Sequence, residues 1–295
     1  MPARTPAHRG SASAPVFFSQ GAKILRIAYQ GEPGAYSEAA ALRFNPNTDT
    51  LPLSKFGDVF KAVEAGEATH GILPIENTIG GSIHQNYDLL LEHELPIVAE
   101  VKHPIVHNLL VREGTGLRDI RRVYSHPQGL AQCERFLRTL DDAEIVATYD
   151  TAGSAKMIQE QGLADTAAIA SERAAELFGL TVLERAIQDY AGNTTRFLII
   201  SRDPTPLGDP DKTSIVFTVA DIPGALFKAL SVFALRDVAL LKLESRPIPD
   251  RPFEYLFYAD VGADREDMAC ARALMHLAEF ARSLRTLGSY QAWRP

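Results

Sequence analysis

The stretch RIAYQGEPGAYSEAA, residues 26–40, contains the pattern that decides the fold. A short apolar segment predicts a strand, a small polar loop follows it, and a helix begins directly after the loop. The same order recurs after the apolar segments at residues 72–75, 122–124 and 145–149. Short strands that alternate with helices are typical of an α/β sheet, so this fold is predicted up to about residue 200.

The four strand-to-helix loops of this pattern carry hydroxyl and amide side chains. Ligands of α/β sheets bind in the crevice at the carboxyl ends of the strands, where helix N-termini present free N–H groups that suit anions. The pattern therefore indicates a cleft for a small, multiply anionic ligand. The same side chains are also common helix caps, and this alternative stays open. The candidates are Tyr36, Ser37, Asn77, Ser82, Ser125, His126, Gln128 and Thr151.

Residues 193–197, Asn-Thr-Thr-Arg-Phe, immediately precede an apolar strand. Asn193 supplies an amide, Thr195 a hydroxyl and Arg196 a guanidinium. Side chains alternate along a strand, so Thr195 and Arg196 face opposite sides unless the strand is only beginning there. Arginine is well suited to bidentate binding of a carboxylate. A substrate contact and a structural ion pair are both consistent with Arg196.

Composition and charge exclude several classes of protein. The chain has 295 residues, of which 46% are hydrophobic and 23% charged, which favours two domains with sizeable cores. A net charge of −7 argues against nucleic acid as a partner, and no run of 18 apolar residues indicates a membrane span. The two cysteines, Cys133 and Cys270, are far apart, so a disulfide framework and a zinc site are not expected. Cys133 lies on the apolar face of a predicted helix and is assigned to the core.

The two ends of the chain differ from its middle. Residues 1–23 contain no acidic residue and are predicted to form a disordered tail of a cytoplasmic protein, with an organelle transit peptide, for example to a plastid, as the alternative. Residues 203–211 are rich in Pro and Asp and indicate a linker. Residues 212–295 follow the order β-α-β-β-α-β of a ferredoxin-like unit, with a helix expected over 267–287.

Patterns for cofactors and metals are weak. Gly31 and Gly34 lack the glycine spacing of a dinucleotide-binding loop. The remaining histidines lack the i, i+4 pairing on one helix that a zinc protease requires, and most are expected at the surface. These are His70, His84, His93, His103 and His107.

Taken together, the motifs resemble those of prephenate dehydratases that carry a C-terminal ACT regulatory domain. The matching strings are YQGEPGAYSE at 29–38, LPIENT at 73–78, GSI at 81–83, SHPQ at 125–128, DTA at 150–152, AAIAS at 167–171 and TRF at 195–197. In the C-terminal unit, PGAL at 223–226 and ESRP at 244–247 resemble the two effector-site motifs of the family.

The resemblance implies a two-lobed, periplasmic-binding-protein-like catalytic domain over residues 24–202, with its active site between the lobes. One lobe is expected to contain residues 25–103 and the returning strand at 194–202, and the other lobe residues 104–193. Residues 212–295 are expected to form the α+β ACT domain. Neither a metal nor an organic cofactor is implied.

The activity implied by the resemblance is that of a carbon–oxygen lyase, which converts prephenate to phenylpyruvate in phenylalanine biosynthesis with loss of carbon dioxide and water. Aromatisation drives this step, so the protein mainly orients the dianion, excludes water and helps hydroxide to leave. The resemblance assigns this help to Thr195, with His126 as an alternative proton source. Arg196 is assigned to a substrate carboxylate, and Asn77, Ser82 and Thr151 supply further donors. The remaining expected substrate contacts are Tyr36, Ser37, Ser125, Gln128 and Asn193.

Feedback inhibition by L-phenylalanine is also implied, at the junction of paired ACT domains, so a homodimer or homotetramer is expected. The expected effector residues are Pro223, Gly224, Ala225, Leu226, Glu244, Ser245, Arg246 and Pro247. Ala239 and Leu241 replace polar residues that the family often has before the second motif, which leaves the strength and identity of the effector open. Two alternatives remain for the function. One is an arogenate dehydratase, and the other is a solute- or amino-acid-binding protein.

Overall fold

The computed structural model describes residues 25–140, 142–248 and 251–294. The tail predicted at residues 1–23 lies outside these ranges. The described chain forms three sheets, of which the first two belong to two lobes and the third to a C-terminal unit. Within these ranges, no helix combines the length and the apolar character that a membrane span requires.

The first lobe is built on strands around β1, whose parallel neighbours are β2 and β3. Its elements up to residue 104 are β1 (Arg26–Gln30), α1 (Tyr36–Phe44), β2 (Asp49–Leu53), α2 (Phe56–Ala65), β3 (His70–Asn77), β4 (Gly81–Ser82), α3 (His84–Glu92) and β5 (Ile97–Pro104). The loop between β1 and α1, which decided the α/β prediction, turns at Gly34, where φ is +90°. A Cβ atom at Gly34 would lie 2.9 Å from Ala174 Cα of the second lobe, so glycine permits the close approach of the two lobes there.

The second lobe contains a five-stranded mixed sheet in the order β10-β6-β9-β7-β8. Its elements are β6 (Asn108–Val111), β7 (Arg122–Ser125), α4 (Pro127–Ala131), α5 (Glu134–Leu137), β8 (Glu144–Ala147), α6 (Thr151–Glu160), β9 (Thr166–Ala170), α7 (Glu172–Phe178) and β10 (Thr181–Glu184). Cys133 is fully buried between α4 and α5, as predicted, and burial raises the pKa of its thiol to about 12.

Strand β11 (Thr194–Ser201) returns the chain to the first lobe. It lies antiparallel between β3 and β5, which gives the sheet order β2-β1-β3-β11-β5. The middle of this sheet is therefore formed by segments that are far apart in the sequence.

The C-terminal unit has the predicted β-α-β-β-α-β order. Its elements are β12 (Lys212–Val219), α8 (Ala225–Ala234), β13 (Leu240–Ile248), β14 (Arg251–Val261), α9 (Met268–Phe280) and β15 (Ala281–Tyr290), in an antiparallel sheet of order β13-β14-β12-β15. The helix expected over 267–287 was too long, because residues 281–290 pair with β12 and this long-range pairing outweighs local helix preference. The α/β, two-lobed and ferredoxin-like parts of the fold prediction are confirmed.

The C-terminal sheet packs directly on the first lobe. Val216, Leu256 and Leu287 belong to the same buried apolar cluster as Leu198 of β11. Strand β15 also approaches β5 so closely that a Cβ atom at Gly288 would lie 2.1 Å from the Ile97 carbonyl oxygen. The C-terminal unit and the first lobe therefore share one core.

Candidate active site

A cavity of about 400 Å³ lies between the two lobes, within the size range of small-molecule sites. The first lobe contributes Gln30, Ala35, Tyr36, Ser37, Phe56, Pro74, Asn77, Ile83, Thr195 and Phe197 to its lining. The facing lobe contributes Ile105, His107, His126, Gln128, Gly129, Gln132, Tyr149, Asp150 and Thr151. Loops at the strand ends of both sheets therefore meet there, as the sequence pattern predicted.

The hydroxyl of Thr195 has a defined polarity. Asn77 Oδ1 accepts hydrogen bonds from the backbone N–H groups of Ile79 and Gly80, at 3.0 and 2.7 Å. The other end of this amide must then be the NH₂ group, which donates to Thr195 Oγ1 at 2.9 Å and to Asn193 Oδ1 at 2.7 Å. Since Thr195 Oγ1 accepts from Asn77, its own proton remains available to an acceptor in the cavity.

The hydrogen-bond partners on the other side of the cleft also fix which nitrogen of His107 carries a proton. Asn193 donates to Gln132 Oε1 at 2.8 Å, and His107 Nε2 lies 2.8 Å from this oxygen, so Nε2 carries a proton. Tyr36 Oη lies 2.9 Å from His107 Nδ1 and 2.7 Å from the Val106 carbonyl oxygen. Burial lowers the pKa of His107, which favours the neutral ring. A chain of hydrogen bonds therefore joins both lobes behind the cavity.

His107 and Gln132 were missed by sequence reasoning. His107 is one of five histidines of which most were expected at the surface, but only 2% of it is exposed, because it lies just before β6 at the contact between the lobes. Gln132 follows Gln128 by four residues, and this helical spacing could have indicated that both face the cleft. The sequence offers no comparable signal for His107.

The structure brings most predicted site residues to the cavity, and two of them cap helices or support the lining. His126 Nδ1 accepts the backbone N–H of Gln128 at 3.2 Å, so this ring caps α4. Asn193 is buried directly behind Asn77 and Gln132. The predicted residues in the lining are Tyr36, Ser37, Asn77, His126, Gln128, Thr151 and Thr195.

Two serines among the predicted contact residues lie outside the cavity lining. Ser125 is fully buried at the end of β7, and its hydroxyl donates to the Ile169 carbonyl oxygen at 2.7 Å. Ser82 donates to Glu244 of the C-terminal unit at 2.8 Å. Both predictions of a substrate contact were wrong, since these hydroxyls already have partners in the core of the second lobe and in the contact with the C-terminal sheet.

The predicted contact of Arg196 with a substrate carboxylate was also wrong. Strand alternation turns its side chain away from Thr195, toward the C-terminal sheet. The guanidinium binds Glu100 at 2.6 Å, Asp260 at 2.5 Å and the hydroxyl oxygen of Tyr290 at 2.9 Å. The structural ion pair, which the sequence had left open, is the arrangement found.

The electrostatic character of the cavity is unusual for an anion site. Neither lysine nor arginine occurs among the described residues that line it, and Asp150 contributes a carboxylate. Asp150 caps α6 by accepting the Gly153 N–H at 2.8 Å, and burial raises its pKa. Anion recognition must therefore use backbone N–H groups of helix N-termini, hydroxyls and amides.

An ion pair joins the two lobes beside Tyr149, which lines the cavity. Lys156 of α6 lies 3.1 Å from Glu32, and Tyr149 donates to Glu32 at 3.4 Å. Deeper in the contact, Arg173 of α7 binds Glu38 of α1 at 2.8 Å. These contacts hold the two lobes around the cavity.

Of the two candidate effector motifs, PGAL spans an exposed turn and the start of α8, and ESRP lies on β13 with two side chains in contact with the first lobe. Gly224, with φ at +77°, is the residue before α8 and follows an exposed Pro223. Glu244 binds Ser82 and His84, and Arg246 binds Asp88, so these two side chains contact the first lobe.

The effector role predicted for the side chains of Glu244 and Arg246 therefore requires correction, because strand alternation directs them inward. Ser245 and Pro247 lie on the opposite, exposed face of β13. The register of β12, β14 and β13 places the PGAL and ESRP strings at the same end of the sheet.

A two-lobed α/β fold whose interlobe cleft is lined by hydroxyl and amide groups, with one hydroxyl held as a donor, is typical of an enzyme that acts on a small polar molecule, and here it is joined to a ferredoxin-like unit. The chain belongs to the prephenate dehydratase family, since the model of the family described as "Prephenate dehydratase" matches residues 27–205. It is thus a decarboxylating hydro-lyase, which replaces the alternative of a solute-binding protein.

Three proteins illustrate this similarity. The chain is 50% identical over 283 residues to arogenate dehydratase/prephenate dehydratase 2, chloroplastic, of Arabidopsis thaliana, which covers 92% of this chain and 74% of the relative. A crystal structure of prephenate dehydratase in complex with L-Phe from Arthrobacter aurescens has a TM-score of 0.83 and 33% identity, covering 90% of each chain. The structure of GqqA, described as a quorum quenching acylase, has a TM-score of 0.83 and 38% identity, covering 91% of this chain and 98% of the other.

Proposed function

We propose that the cavity binds prephenate and that Thr195 donates a hydrogen bond to the departing ring hydroxyl. The electrons of the breaking bond to the ring carboxylate enter the ring, carbon dioxide leaves, and the opposite carbon–oxygen bond breaks. The hydroxide leaves with its hydrogen bond from Thr195, takes up one proton from the solvent and becomes water, and phenylpyruvate remains. The observation that carries this proposal is the donation from Asn77 to Thr195, because it leaves the threonine proton free for the leaving group.

The two carboxylates of the substrate need neutral donors in this proposal, since the lining residues provide no cationic side chain of lysine or arginine. The N-termini of α1 and α6 point into the lining through Tyr36, Ser37 and Thr151. The backbone N–H groups at the start of α1, which no side chain caps, and the hydroxyls of these residues are suited to carboxylate oxygens. At the start of α6, Asp150 already accepts the Gly153 N–H. Gln128 supplies a further amide, and His126 shapes the loop that holds it.

An assay of phenylpyruvate formation from purified prephenate tests the proposal directly. We expect the aromatic ketone to appear with saturation kinetics and without an added metal or cofactor. A wild-type enzyme that binds prephenate but forms no phenylpyruvate would contradict it.

Arogenate is the second candidate substrate, and Asp150 favours it. Arogenate carries an ammonium group where prephenate has a ketone, and the Asp150 carboxylate in the lining offers this ammonium a partner. The Arabidopsis relative is named for both activities. Measuring kcat/KM for the two substrates side by side decides between them.

We also propose that the chain consists of a catalytic domain, a linker and a regulatory domain. Residues 24–202 form the catalytic domain, with lobes of 25–103 plus 194–202 and of 104–193, residues 203–211 connect, and residues 212–295 form an ACT regulatory domain. L-phenylalanine would bind near Gly224 at a junction with a second copy, which is supported by the L-Phe complex of the Arthrobacter relative. Activity assays with and without phenylalanine test this regulation.

The cellular location is proposed to be the cytoplasm, with a plastid as the alternative. The Arabidopsis relative is named chloroplastic. Residues 1–23, on which targeting would depend, lie outside the described residues. Cell fractionation and N-terminal sequencing of the mature protein distinguish the two locations.

A further inference from the structure

Two neighbouring residue pairs connect β3 and β11. Asn77 is the register partner of Thr195, and Glu76 is the register partner of Arg196. Because side chains alternate along strands, the first pair faces the cavity and the second faces the C-terminal sheet. The pair that holds the candidate hydroxyl is therefore backed, one residue away on each strand, by a pair of opposite charges.

A third pair lies opposite this charged pair. Lys242 of β13 and Asp260 of β14 are register partners in the C-terminal sheet. Lys242 Nζ lies 2.8 Å from Glu76, and Arg196 lies 2.5 Å from Asp260. Two ion pairs thus join the C-terminal sheet to the two strands that carry Asn77 and Thr195.

The surroundings fix this arrangement tightly. Glu100 binds both Arg196 and Lys212, while Ser214 donates to Asp260 at 2.5 Å. The side chain of Arg196 is only 10% exposed, and that of Lys242 only 12%. Buried charges with several partners have little freedom to move, because losing a partner leaves a charge uncompensated.

The pair Asn77–Thr195 lies at the end of the pairing between β3 and β11. The register between β3 and β11 shifts directly after Arg196, and β11 begins at Thr194. Regular pairing on this side of the irregularity is therefore limited to the pairs that contain Thr195 and Arg196.

We propose that Lys242 and Asp260 of the C-terminal unit are positioning residues for the reaction. They act through Glu76 and Arg196 and thereby set the distance and direction of the hydrogen bond between Asn77 and Thr195. The inference rests on the role proposed for Thr195, and it makes the C-terminal sheet a part of the catalytic apparatus.

Two matched pairs of variants test the proposal in the full-length enzyme. Lys242→Met is compared with Arg285→Met, which removes another cation of the C-terminal sheet that contacts the first lobe, at the Leu91 and His93 carbonyls. Glu76→Gln is compared with Asp88→Asn, which removes the partner of Arg246 in the same contact between the units. The readouts are kcat and KM with prephenate, and the melting temperature.

We expect Lys242→Met and Glu76→Gln to lower kcat about tenfold to a hundredfold, with KM changed less than about twofold, since a displaced hydroxyl affects the reacting step more than binding. The double variant should be no slower than the slower single variant, because both changes break the same ion pair. Arg285→Met and Asp88→Asn should keep kcat within about twofold of wild type.

Equal losses in test and control variants, or unchanged kcat in both test variants, would overturn the proposal. Glu76 is partly exposed, with 39% of its side chain accessible, so Glu76→Gln against Asp88→Asn decides the question even where Lys242→Met fails to fold. The assignment of the substrate is judged by wild-type turnover alone, whereas this inference is judged by the ratio of variant to wild type. The two can therefore fail independently.

Discussion

At the scale of single residues, the proposed reaction depends on the direction of the hydrogen bond between Asn77 and Thr195. Asn77 donates to Thr195, and Thr195 is left to donate into the cavity. Thr195→Ala removes this donor, and we expect kcat to fall by about 10²–10³, the usual cost of losing one such donor. Thr195→Ser keeps the hydroxyl and should retain much of the activity. Phenylpyruvate formation at the wild-type rate by the alanine variant would remove Thr195 from the mechanism.

Asn77→Asp tests the same bond from its other end. An aspartate keeps the oxygen that accepts the Ile79 and Gly80 N–H groups but replaces the NH₂ donor with a second acceptor. The Thr195 proton would then turn toward this carboxylate and away from the leaving group. We expect a fall in kcat close to that of Thr195→Ala, although size and shape hardly change. A variant with full kcat would show that the polarity of the bond is irrelevant.

Sequence reasoning predicted Thr195 but not the partners of its neighbour. The alternation of side chains along a strand already predicted that Thr195 and Arg196 face opposite sides. Choosing the substrate side for Arg196 failed because Glu100 and Asp260 lie 96 and 64 residues away along the chain. No local pattern predicts which distant carboxylates a strand will meet.

At the scale of elements, strand β5 carries a largely buried histidine that makes the free energy of unfolding depend on pH. His103 is the register partner of Thr195 on β5, and burial lowers its pKa to about 4, with a smaller contribution from Arg43. In the unfolded chain the His103 ring takes up a proton near pH 6.5, whereas in the folded protein it does so only near pH 4. The free energy of unfolding is therefore undiminished by His103 above pH 6.5, and it decreases as the pH falls toward 4. His103→Gln should therefore lose less unfolding free energy between pH 6.5 and 4, with a slope smaller by up to about 1.4 kcal/mol per pH unit. Urea unfolding at several pH values measures this, and parallel curves for the two proteins would contradict it.

Local patterns predicted the elements better than their ends. The predicted helix that carries Cys133 is divided into α4 and α5 around this residue, yet Cys133 is buried as its apolar spacing indicated. Helix α9 ends at Phe280, because the following residues pair with β12. Spacing reports which face is apolar, whereas the ends of elements depend on partners elsewhere in the chain.

The docking of the whole C-terminal unit could not have been predicted from the sequence. The Pro- and Asp-rich segment was expected to separate two units, but Leu207 donates to the Val98 carbonyl oxygen of β5 at 3.0 Å. The C-terminal sheet then shares a core and buried ion pairs with the first lobe. Such contacts are set by register and packing over the whole molecule, which composition and periodicity do not encode.

The outer side of the C-terminal unit exposes several large apolar side chains. Phe227 of α8 is 75% exposed and Met275 of α9 is 71% exposed, while Leu241 of β13 is 53% exposed. Apolar surface of this kind marks protein contacts, which supports the proposed homodimer or homotetramer.

Phe227→Glu places a charge in this surface and should shift the protein toward the monomer of 32.3 kDa, as light scattering after size-exclusion chromatography would report. Leu177→Glu is the matched control, because Leu177 is 45% exposed on α7 of the second lobe, outside the C-terminal unit. We expect Phe227→Glu also to lose inhibition by phenylalanine, since the proposed effector site requires two copies, while Leu177→Glu keeps both assembly and response. A monomeric wild-type protein, or an oligomer unaffected by Phe227→Glu, would contradict the assignment of this surface.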